Sequence, residues 1–189
     1  MPTYGPAHVL LALLQIGGSG GVGRHALAIE VGLGEGAVRT VIKWLKNDGY
    51  ITVKASGCRL TPKGEKAYRE LKNSIPKTLV LPRTELTVGK VQVAVLVRRK
   101  SDKVKTGLEQ RDSSILAGAS GATTYTVRGS RFEVPGSPGD AEKAFPADTW
   151  AELRNGLEPK DGDVVIVCGS EEKRTSLLGA MSAALTLLP

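Results

Sequence analysis

The chain has 189 residues, of which 41% are hydrophobic, and a formal net charge of +7, so it contains enough apolar material for one large or two small globular domains. Its two cysteines, Cys58 and Cys168, exclude a disulfide framework, and neither lies in a Cys/His cluster that would bind a metal. The apolar run VLLALLQI is short and has no basic flank, which excludes a signal peptide and a membrane span and predicts a cytoplasmic protein without membrane contact.

Four helices and a hairpin are predicted in residues 1–75. The first helix covers residues 6–16, begins with Pro6 and ends before the glycine-rich GGSGG, and the second is RHALAIEV. The third lies within GLGEGAVRTVIKWLKNDG. The alternation in YITVK and CRLT around a Ser-Gly turn indicates a short hairpin. The last helix has Thr61 as its N-cap and Pro62 at its first position.

The third helix has two faces of opposite character. At about 100° per residue, one sector is wholly apolar and is expected to face the core. It consists of Val38, Val41, Ile42 and Leu45. The opposite sector carries cations and neutral hydrogen-bonding side chains but no carboxylate, and it consists of Gly36, Arg39, Thr40, Lys43, Lys46 and Asn47. Because a solvated helix face usually mixes both signs of charge, this cationic face indicates a binding partner.

The excess positive charge is concentrated in the N-terminal part of the chain. Residues 1–75 contain 10 basic and 5 acidic residues, a net charge of +5, whereas residues 76–189 contain 16 basic and 14 acidic residues, a net charge of +2. A basic domain favours a polyanionic partner, which is nucleic acid more often than membrane.

The order helix, helix, helix, hairpin, helix, with the segments GLGEGAVRTVIKWL, GYI and RLTPKGEKA, resembles the winged helix-turn-helix domain of many prokaryotic regulators. The resemblance covers residues 5–75. It implies that the third helix enters the major groove of double-stranded DNA and that the hairpin is a wing that contacts the DNA backbone beside that groove. Winged helices also serve as protein-interaction modules, so an assembly module is the alternative.

The residues expected to contact DNA are Arg24, Gly36, Arg39, Thr40, Lys43, Lys46, Asn47, Lys54 and Arg59. The early exposed residues of the third helix would reach base edges, and the last two would meet phosphates. The arginine at the start of the second helix would also meet a phosphate, and the two wing cations flank the hairpin turn. His25 is expected to be a surface residue and His8 a packed one.

Residues 76–89 are predicted to form a linker with a first extended segment, and residues 90–189 a second domain. GKVQVAVLVRR predicts a strand with one apolar face, and residues 107–118 a helix with Leu108, Ile115 and Leu116 inward. TTYTV and RFEVP predict a hairpin, PADTWAELRNGL a helix capped by Asp148, and DVVIVC a central buried strand. The last helix is expected to pack on the sheet through Leu177, Leu178, Met181, Ala184, Leu185 and Leu188. The order β-α-β-β-α-β-α predicts a two-layer α/β sandwich, so the fold class of the whole chain is α+β.

A small-ligand site is one interpretation of the densest polar cluster in the second half and the glycine-rich segment after it. Its candidate residues are Glu109, Arg111, Asp112, Gly118, Gly121 and Thr123. Arg111 would anchor an anionic effector, and the glycine-rich turn would allow close approach. The alternative is a charged helix start with local salt bridges, followed by a glycine turn into a strand.

The two halves together resemble an archaeal family in which a winged helix precedes an uncharacterised α+β domain, through YGPAHVLLAL, GLGEGAVRT, GLEQRDSSILAGASGATTY and DGDVVIVCGS. The family resemblance implies a transcription regulator and brings no established ligand or reaction. The C-terminal element order also resembles the small domain inserted in some bacterial aspartyl-tRNA synthetases.

The sequence contains no catalytic motif, so the prediction is a sequence-specific DNA-binding regulator without enzymatic activity or cofactor. Archaeal CTP-dependent riboflavin kinases are the enzymatic alternative, because they also carry an N-terminal winged helix, there followed by a small β-barrel. The C-terminal domain is expected to serve dimerisation or small-ligand sensing. In the alternative of an assembly module, the last helix would pair with a second copy through Met181, Leu185 and Leu188. Cys168 is expected to be a core residue rather than a thiol sensor.

Overall fold

The computed structural model describes residues 4–137, 139–144 and 148–188, and the chain divides into two compact units between Asn73 and Ser74. The helices are α1 (Pro6–Ser19), α2 (Arg24–Val31), α3 (Glu35–Asn47), α4 (Pro62–Ser74), α5 (Leu108–Leu116), α6 (Ala141–Ala144), α7 (Thr149–Leu157) and α8 (Lys173–Leu185). The strands are β1 (Ile51–Lys54), β2 (Gly57–Leu60), β3 (Thr78–Leu81), β4 (Val91–Val97), β5 (Gly121–Arg128), β6 (Arg131–Glu133) and β7 (Val164–Ser170). A 3₁₀ turn covers Ser101–Lys103.

The first helix continues through two glycines that were predicted to end it. Gly17 lies against the ring of Tyr68 in α4, so closely that a Cβ atom would be 2.4 Å from the ring carbon Cδ2. This packing keeps the residue helical despite the low helix propensity of glycine. The helix ends instead at Gly20, whose φ of 65° is the left-handed conformation that terminates many helices.

The core of the N-terminal unit contains the predicted inward face of α3. Val38, Val41, Ile42 and Leu45 are each at most 9% exposed, and they pack in one cluster with apolar residues of α1, α2 and the hairpin. The hairpin is extended by one bridge, between Val22 and Cys58, which ties the segment before α2 to the wing.

The predicted cap of α4 is confirmed. The backbone N–H of Gly64 donates to Thr61 Oγ1 over 3.1 Å, and Thr61 Oγ1 donates to the carbonyl oxygen of Gly49 over 2.6 Å. A Cβ atom at Gly64 would be 2.0 Å from the carbonyl oxygen of Tyr50, so only glycine fits there. These contacts fix the start of α4 against the turn that follows α3.

The C-terminal unit is built on one antiparallel sheet with the strand order β3-β4-β7-β5-β6. All seven residues of β7 are buried, which confirms the prediction of a central strand. The extended segment expected within residues 76–89 is β3, which pairs with β4 at the edge of the sheet. The sheet is open, with β3 and β6 at its edges.

Helices cover both faces of this sheet, so the α+β class is confirmed, but the helices form two layers rather than the single layer that was predicted. α7 contributes Trp150 to a core cluster that includes Val167 of β7. Cys168, the next residue, points the opposite way and faces Gly179 of α8. Because both faces are covered, β4 is buried on both sides and not only on the side of its valines.

α5 is oriented opposite to the prediction. Leu108, Ile115 and Leu116 were predicted to point inward, but they are 50%, 47% and 89% exposed, respectively. The buried residues of α5 are Gln110 and Ser114. The apolar face of this helix therefore points to solvent.

The inward face of α5 is polar because it meets hydroxyl groups of α8 and of Thr186, the residue that follows α8. Gln110 Nε2 donates to Thr186 Oγ1 over 2.6 Å, and Ser113 Oγ lies 2.9 Å from Ser182 Oγ. Thr186 Oγ1 also donates to the carbonyl oxygen of Ala183 over 2.7 Å, and a leucine turned inward on α5 could not supply the N–H donor that this hydroxyl accepts from. The position of α5 is thus set by hydrogen bonds rather than by its apolar pattern.

α8 packs on the sheet, as predicted, but mainly through small side chains. Its buried residues are Ser176, Gly179, Ala180, Met181, Ala183 and Ala184. A Cβ atom at Gly179 would be 2.6 Å from Cys168 Sγ, so helix and sheet approach closely. Leucine is too large for this face. The predicted inward residues Leu177, Leu178, Leu185 and Leu188 are consequently only half-buried.

Two smaller features complete the unit. α7 begins after Asp148, as predicted, but the Asp148 side chain makes no capping hydrogen bond. α6 was not predicted. Across the described ranges of both units, no helix has the length and apolar character needed to cross a membrane.

Candidate nucleic-acid interface

A groove of about 730 Å³ lies on the N-terminal unit, between the start of α2, the outer side of α3 and the β1–β2 hairpin. We call it the basic groove. It is lined by Gly23, Arg24, Arg39, Ile42, Lys43, Lys46, Asn47, Val53, Lys54, Ala55, Ser56, Gly57 and Cys58. Six of the nine residues predicted to contact DNA therefore line one surface.

The charge of the basic groove has a single sign. Its lining contains five cations and no carboxylate. Within the part of the chain that the structure describes, none of these cations forms an ion pair with a carboxylate of the protein. Unpaired cations that line one concave surface concentrate positive potential, which attracts polyanions.

The N-terminus of α2 opens into the same groove. Its N-cap is Gly23, which offers no side-chain cap, and its first turn holds no acidic residue. The first amides of a helix lack intrahelical partners, so they can donate to a phosphate oxygen there. The side chain of His25, in the first turn, is 80% exposed, and its Nδ1 atom lies 3.6 Å from Oε1 of Glu35. His25 is therefore a surface residue, as expected.

The other histidine is half-buried at the start of α1. His8 Nδ1 accepts a hydrogen bond from the backbone N–H of Gly5 over 3.1 Å. Burial lowers the pKa of His8, which favours the neutral form that can accept this bond. His8 is a helix-capping residue distant in sequence from the basic groove.

Three predicted residues are exposed but do not line the basic groove. Gly36 and Thr40 lie along the other side of the outer face of α3, where Thr40 Oγ1 donates to the carbonyl oxygen of Gly36 over 3.1 Å. Arg59 alternates with Cys58 along β2 and lies over Gly21, where a Cβ atom would be 3.3 Å from the guanidinium Nε. In the hairpin register Arg59 lies opposite Thr52 and Lys54 opposite Gly57, so the two wing cations share one face of the hairpin, but of the two it is Lys54 that lines the groove.

An aromatic cluster beside α3 was not predicted. Trp44 is 45% exposed, and its ring stacks on that of Tyr50 with centroids 6.2 Å apart. Lys63 Nζ lies 4.3 Å from the centroid of the Tyr50 ring. The exposure of Trp44 could have been predicted from the sequence, because helical spacing places this residue outside the apolar sector of α3.

The six candidate ligand residues of the C-terminal unit are not brought together. Glu109, Arg111 and Asp112 lie on the exposed side of α5. Thr123 alternates with Thr124 along β5, so it points to the opposite face of the sheet, towards α7, as does Gly121. Gly118 lies in the turn between α5 and β5 with a φ of 97°.

Local contacts account for the charged part of this cluster. Arg111 Nη2 lies 3.0 Å from Asp112 Oδ1 on the same helix, which agrees with the alternative interpretation of local salt bridges. Burial raises the pKa of the Cys168 thiol to about 12, so this residue is an unreactive core thiol. Among the described residues, no group of three or more His, Cys, Asp or Glu side chains is arranged to hold a metal ion.

Comparisons with known proteins match both units. Residues 88–187 match the family model described as a domain of unknown function (DUF4443), and residues 11–75 match the model described as the CggR N-terminal DNA binding domain. The resemblance to a winged helix followed by an uncharacterised α+β domain is therefore confirmed. None of the curated proteins compared with the chain matches it.

A solved structure shares this arrangement along almost its whole length. A hypothetical protein from Pyrococcus horikoshii OT3 is 24% identical to the chain, with a TM-score of 0.74, and the match covers 97% of this chain and 92% of the other. At this level of identity the likeness shows that the two proteins have the same fold.

Proposed function

The chain belongs to the DUF4443 family, and we propose that it is a sequence-specific double-stranded DNA-binding protein that regulates transcription. The observation that carries this proposal is the basic groove, where cations from α2, α3 and the hairpin line one concave surface without a carboxylate. The match of residues 11–75 to a DNA-binding domain family supports the same function.

The outer face of α3 has the properties needed to read base edges. The major groove of B-DNA is about 12 Å wide and admits one helix, and Arg or Lys can contact two acceptors of a guanine. Arg39 and Lys43 are exposed on the outer face of α3 and would take this role. At Gly36, apart from its chain neighbours and the backbone of its own helix, no protein atom lies within 4 Å of the position of a Cβ atom, so the bare backbone there allows DNA to approach closely.

The remaining lining residues suit contacts with phosphates. Lys46 and Asn47 lie at the end of α3, and Lys54 is next to the tip of the hairpin. Arg24 and the uncapped amides of α2 would hold a further phosphate. Such contacts fix the position of a protein on the duplex but do not select a sequence. Arg59, which does not line the groove, would contribute through its charge.

DNA explains these features better than the alternative partners. A protein partner would need an acidic surface to match the groove, whereas DNA carries a negative phosphate at every nucleotide. The riboflavin kinase alternative requires a closed β-barrel, whereas the C-terminal unit has an open sheet with helices on both faces.

Since the candidate ligand residues lie on opposite sides of that sheet, we assign the C-terminal unit to dimerisation rather than to effector binding.

Fluorescence anisotropy with two duplexes, across a salt series, tests the proposed function. One duplex carries the DNA upstream of the gene for this protein and the other a random sequence. We expect tighter binding of the upstream duplex, and an affinity that falls as salt rises with a slope that implies several phosphate contacts. Equal affinity for the two duplexes would contradict sequence-specific regulation.

The double substitution Arg39→Ala/Lys43→Ala tests the assigned surface. Each base contact of this kind contributes about 1–3 kcal/mol, so the loss should be roughly a hundredfold in affinity for the upstream duplex. The matched control is Lys66→Ala/Arg69→Ala on α4, which removes the same charge from exposed sites away from the groove. If both variants lose affinity equally, the effect is one of net charge, and the groove is not the DNA-binding surface.

A further inference from the structure

We propose that the outward face of α5 binds the same face of a second copy of this chain. We call this surface the α5 outer face, and it consists of Leu108, Arg111, Asp112, Ile115 and Leu116. The inference rests on the C-terminal unit alone and does not depend on the proposed DNA binding.

The exposure of these apolar side chains is fixed by the packing of α5. A rotation of α5 that buried its leucines would break the hydrogen bond from Gln110 to Thr186, the residue after α8, and the one between Ser113 and Ser182 of α8. Leu116 therefore stays 89% exposed. Clustered apolar side chains that cannot turn inward mark interaction sites more often than isolated ones do.

The apolar surface extends from α5 onto α8. Leu116 follows Ser113 by three residues, so the two side chains are neighbours on α5. Ser113 lies against Ser182, and on α8 the neighbours of Ser182 at positions i−4 and i+3 are the half-buried Leu178 and Leu185. Leu185 belongs to the segment that was predicted to pair with a second copy. Met181, from the same prediction, is 3% exposed and cannot take part.

The charges on the α5 outer face favour a second copy over other partners. Arg111 and Asp112 lie between Leu108 and Ile115 along the helix. In an antiparallel arrangement about a twofold axis, Arg111 of each copy lies opposite Asp112 of the other, so the surface is complementary to itself. Its two charges, Arg111 and Asp112, cancel, and Glu109 beside it adds an anion, so the surface does not attract nucleic acid.

The size of the surface sets the expected strength of the dimer. α5 has nine residues, a length of about 13 Å, so the interface lies at the small end of the range for specific complexes, roughly 1,200 Å² in total. We expect a dimer that dissociates at concentrations on the order of micromolar. In a DNA-binding protein such a dimer would present two winged helices to paired half-sites.

Sedimentation velocity of the full chain without DNA tests the dimer. We expect a monomer–dimer equilibrium that Leu116→Glu weakens by at least about tenfold, since a carboxylate would be buried in the contact. The matched control is Ile29→Glu, which places the same charge at an apolar residue of α2 that is 53% exposed. A chain that stays monomeric at all concentrations, or a dimer that Leu116→Glu leaves unchanged, would overturn the proposal.

A mixing experiment tests the predicted charge pairing. Arg111→Asp leaves the face with acids only, and Asp112→Arg leaves it with two cations beside Glu109, so each variant alone should dimerise more weakly than the wild type. Mixed in equal amounts, the two should form a mixed dimer, because opposite charges then face each other across the twofold axis. If each variant dimerises like the wild type and the mixture shows no preference, the copies do not meet through this face.

Discussion

α3 and α5 each expose an unusual surface, but they do so for different reasons. α3 buries its apolar residues and exposes cations, so its outer face is a consequence of ordinary amphipathic packing. α5 buries Gln110 and Ser114 and exposes three apolar residues, so its packing is reversed. The difference shows that the inward face of a helix is decided by the surface on which the helix packs.

The packing surfaces of the two helices explain this reversal. α3 meets the apolar side chains of α1, α2 and the hairpin, and burying its own apolar face there is favourable. α5 meets the half-buried Ser182 and Thr186, whose hydroxyl groups form hydrogen bonds with Ser113 and Gln110. A polar side chain on α5 can make these bonds, whereas a leucine cannot.

The largest expected difference between the two helices is in the free energy of unfolding lost when a leucine of each helix is replaced by alanine. Leu45→Ala in α3 removes a side chain that is 1% exposed and should lower the free energy of unfolding by about 2–5 kcal/mol. Leu116→Ala in α5 removes one that is 89% exposed and should change it by less than about 0.5 kcal/mol. Urea unfolding followed by circular dichroism measures both values.

This measurement is made at a protein concentration at which sedimentation shows only monomer, so that a dimer contact at Leu116 does not contribute. A loss of more than about 2 kcal/mol for Leu116→Ala would mean that α5 packs with its apolar face inward in solution. The contrast between the two helices would then disappear.

A smaller effect is expected from the polar contact that orients α5. Gln110→Leu removes the donor to Thr186 Oγ1 and should lower the free energy of unfolding by about 1–2 kcal/mol, although leucine is the more hydrophobic residue. Combining it with Thr186→Val removes both partners, and the double variant should be more stable than the sum of the two single effects predicts.

Urea unfolding of the wild type, the two single variants and the double variant gives the coupling energy between the positions. We expect about 1 kcal/mol. Strict additivity would mean that the hydrogen bond does not hold α5, and a stabilising Gln110→Leu would mean that an ordinary apolar inward face is preferred.

The sequence predicted elements well where local pattern and packing agree. The apolar sector of α3, the Thr61 cap of α4 and the buried run of β7 are each visible in a short segment, and each is confirmed. The predicted orientation of α5 was wrong, and in α8 four of the six predicted inward residues are only half-buried, because the partners of both helices lie far apart in the chain. Nothing near Gln110 indicates that Thr186 will receive its hydrogen bond.

The candidate interface was predictable to a similar extent. The cationic sector of α3 follows from helical spacing, and the structure places Arg39, Lys43 and Lys46 along one groove. Spacing could not show that Gly23 and the start of α2 open into it, because that depends on how α2 and α3 pack. Nor could the sequence show that Arg59 lies over Gly21 and outside the groove, since the bridge between Val22 and Cys58 is what brings that segment against the hairpin.

The smallest expected effect separates the two outer faces by their response to DNA. Lys46→Ala on α3 and Arg111→Ala on α5 each remove one exposed cation, so they change the net charge equally. If Lys46 contacts a phosphate, its loss lowers the salt slope by about 1 and weakens binding of every duplex several-fold, whatever its sequence. Loss of Arg111 should leave both quantities unchanged, because its guanidinium pairs with Asp112 on a face that carries no net positive charge. Anisotropy titrations measure both the affinity and the salt slope. A short duplex with a single site, at a protein concentration at which the chain is monomeric, removes any contribution from dimerisation. Equal salt slopes for the two variants would show that the two faces do not differ in their contact with DNA.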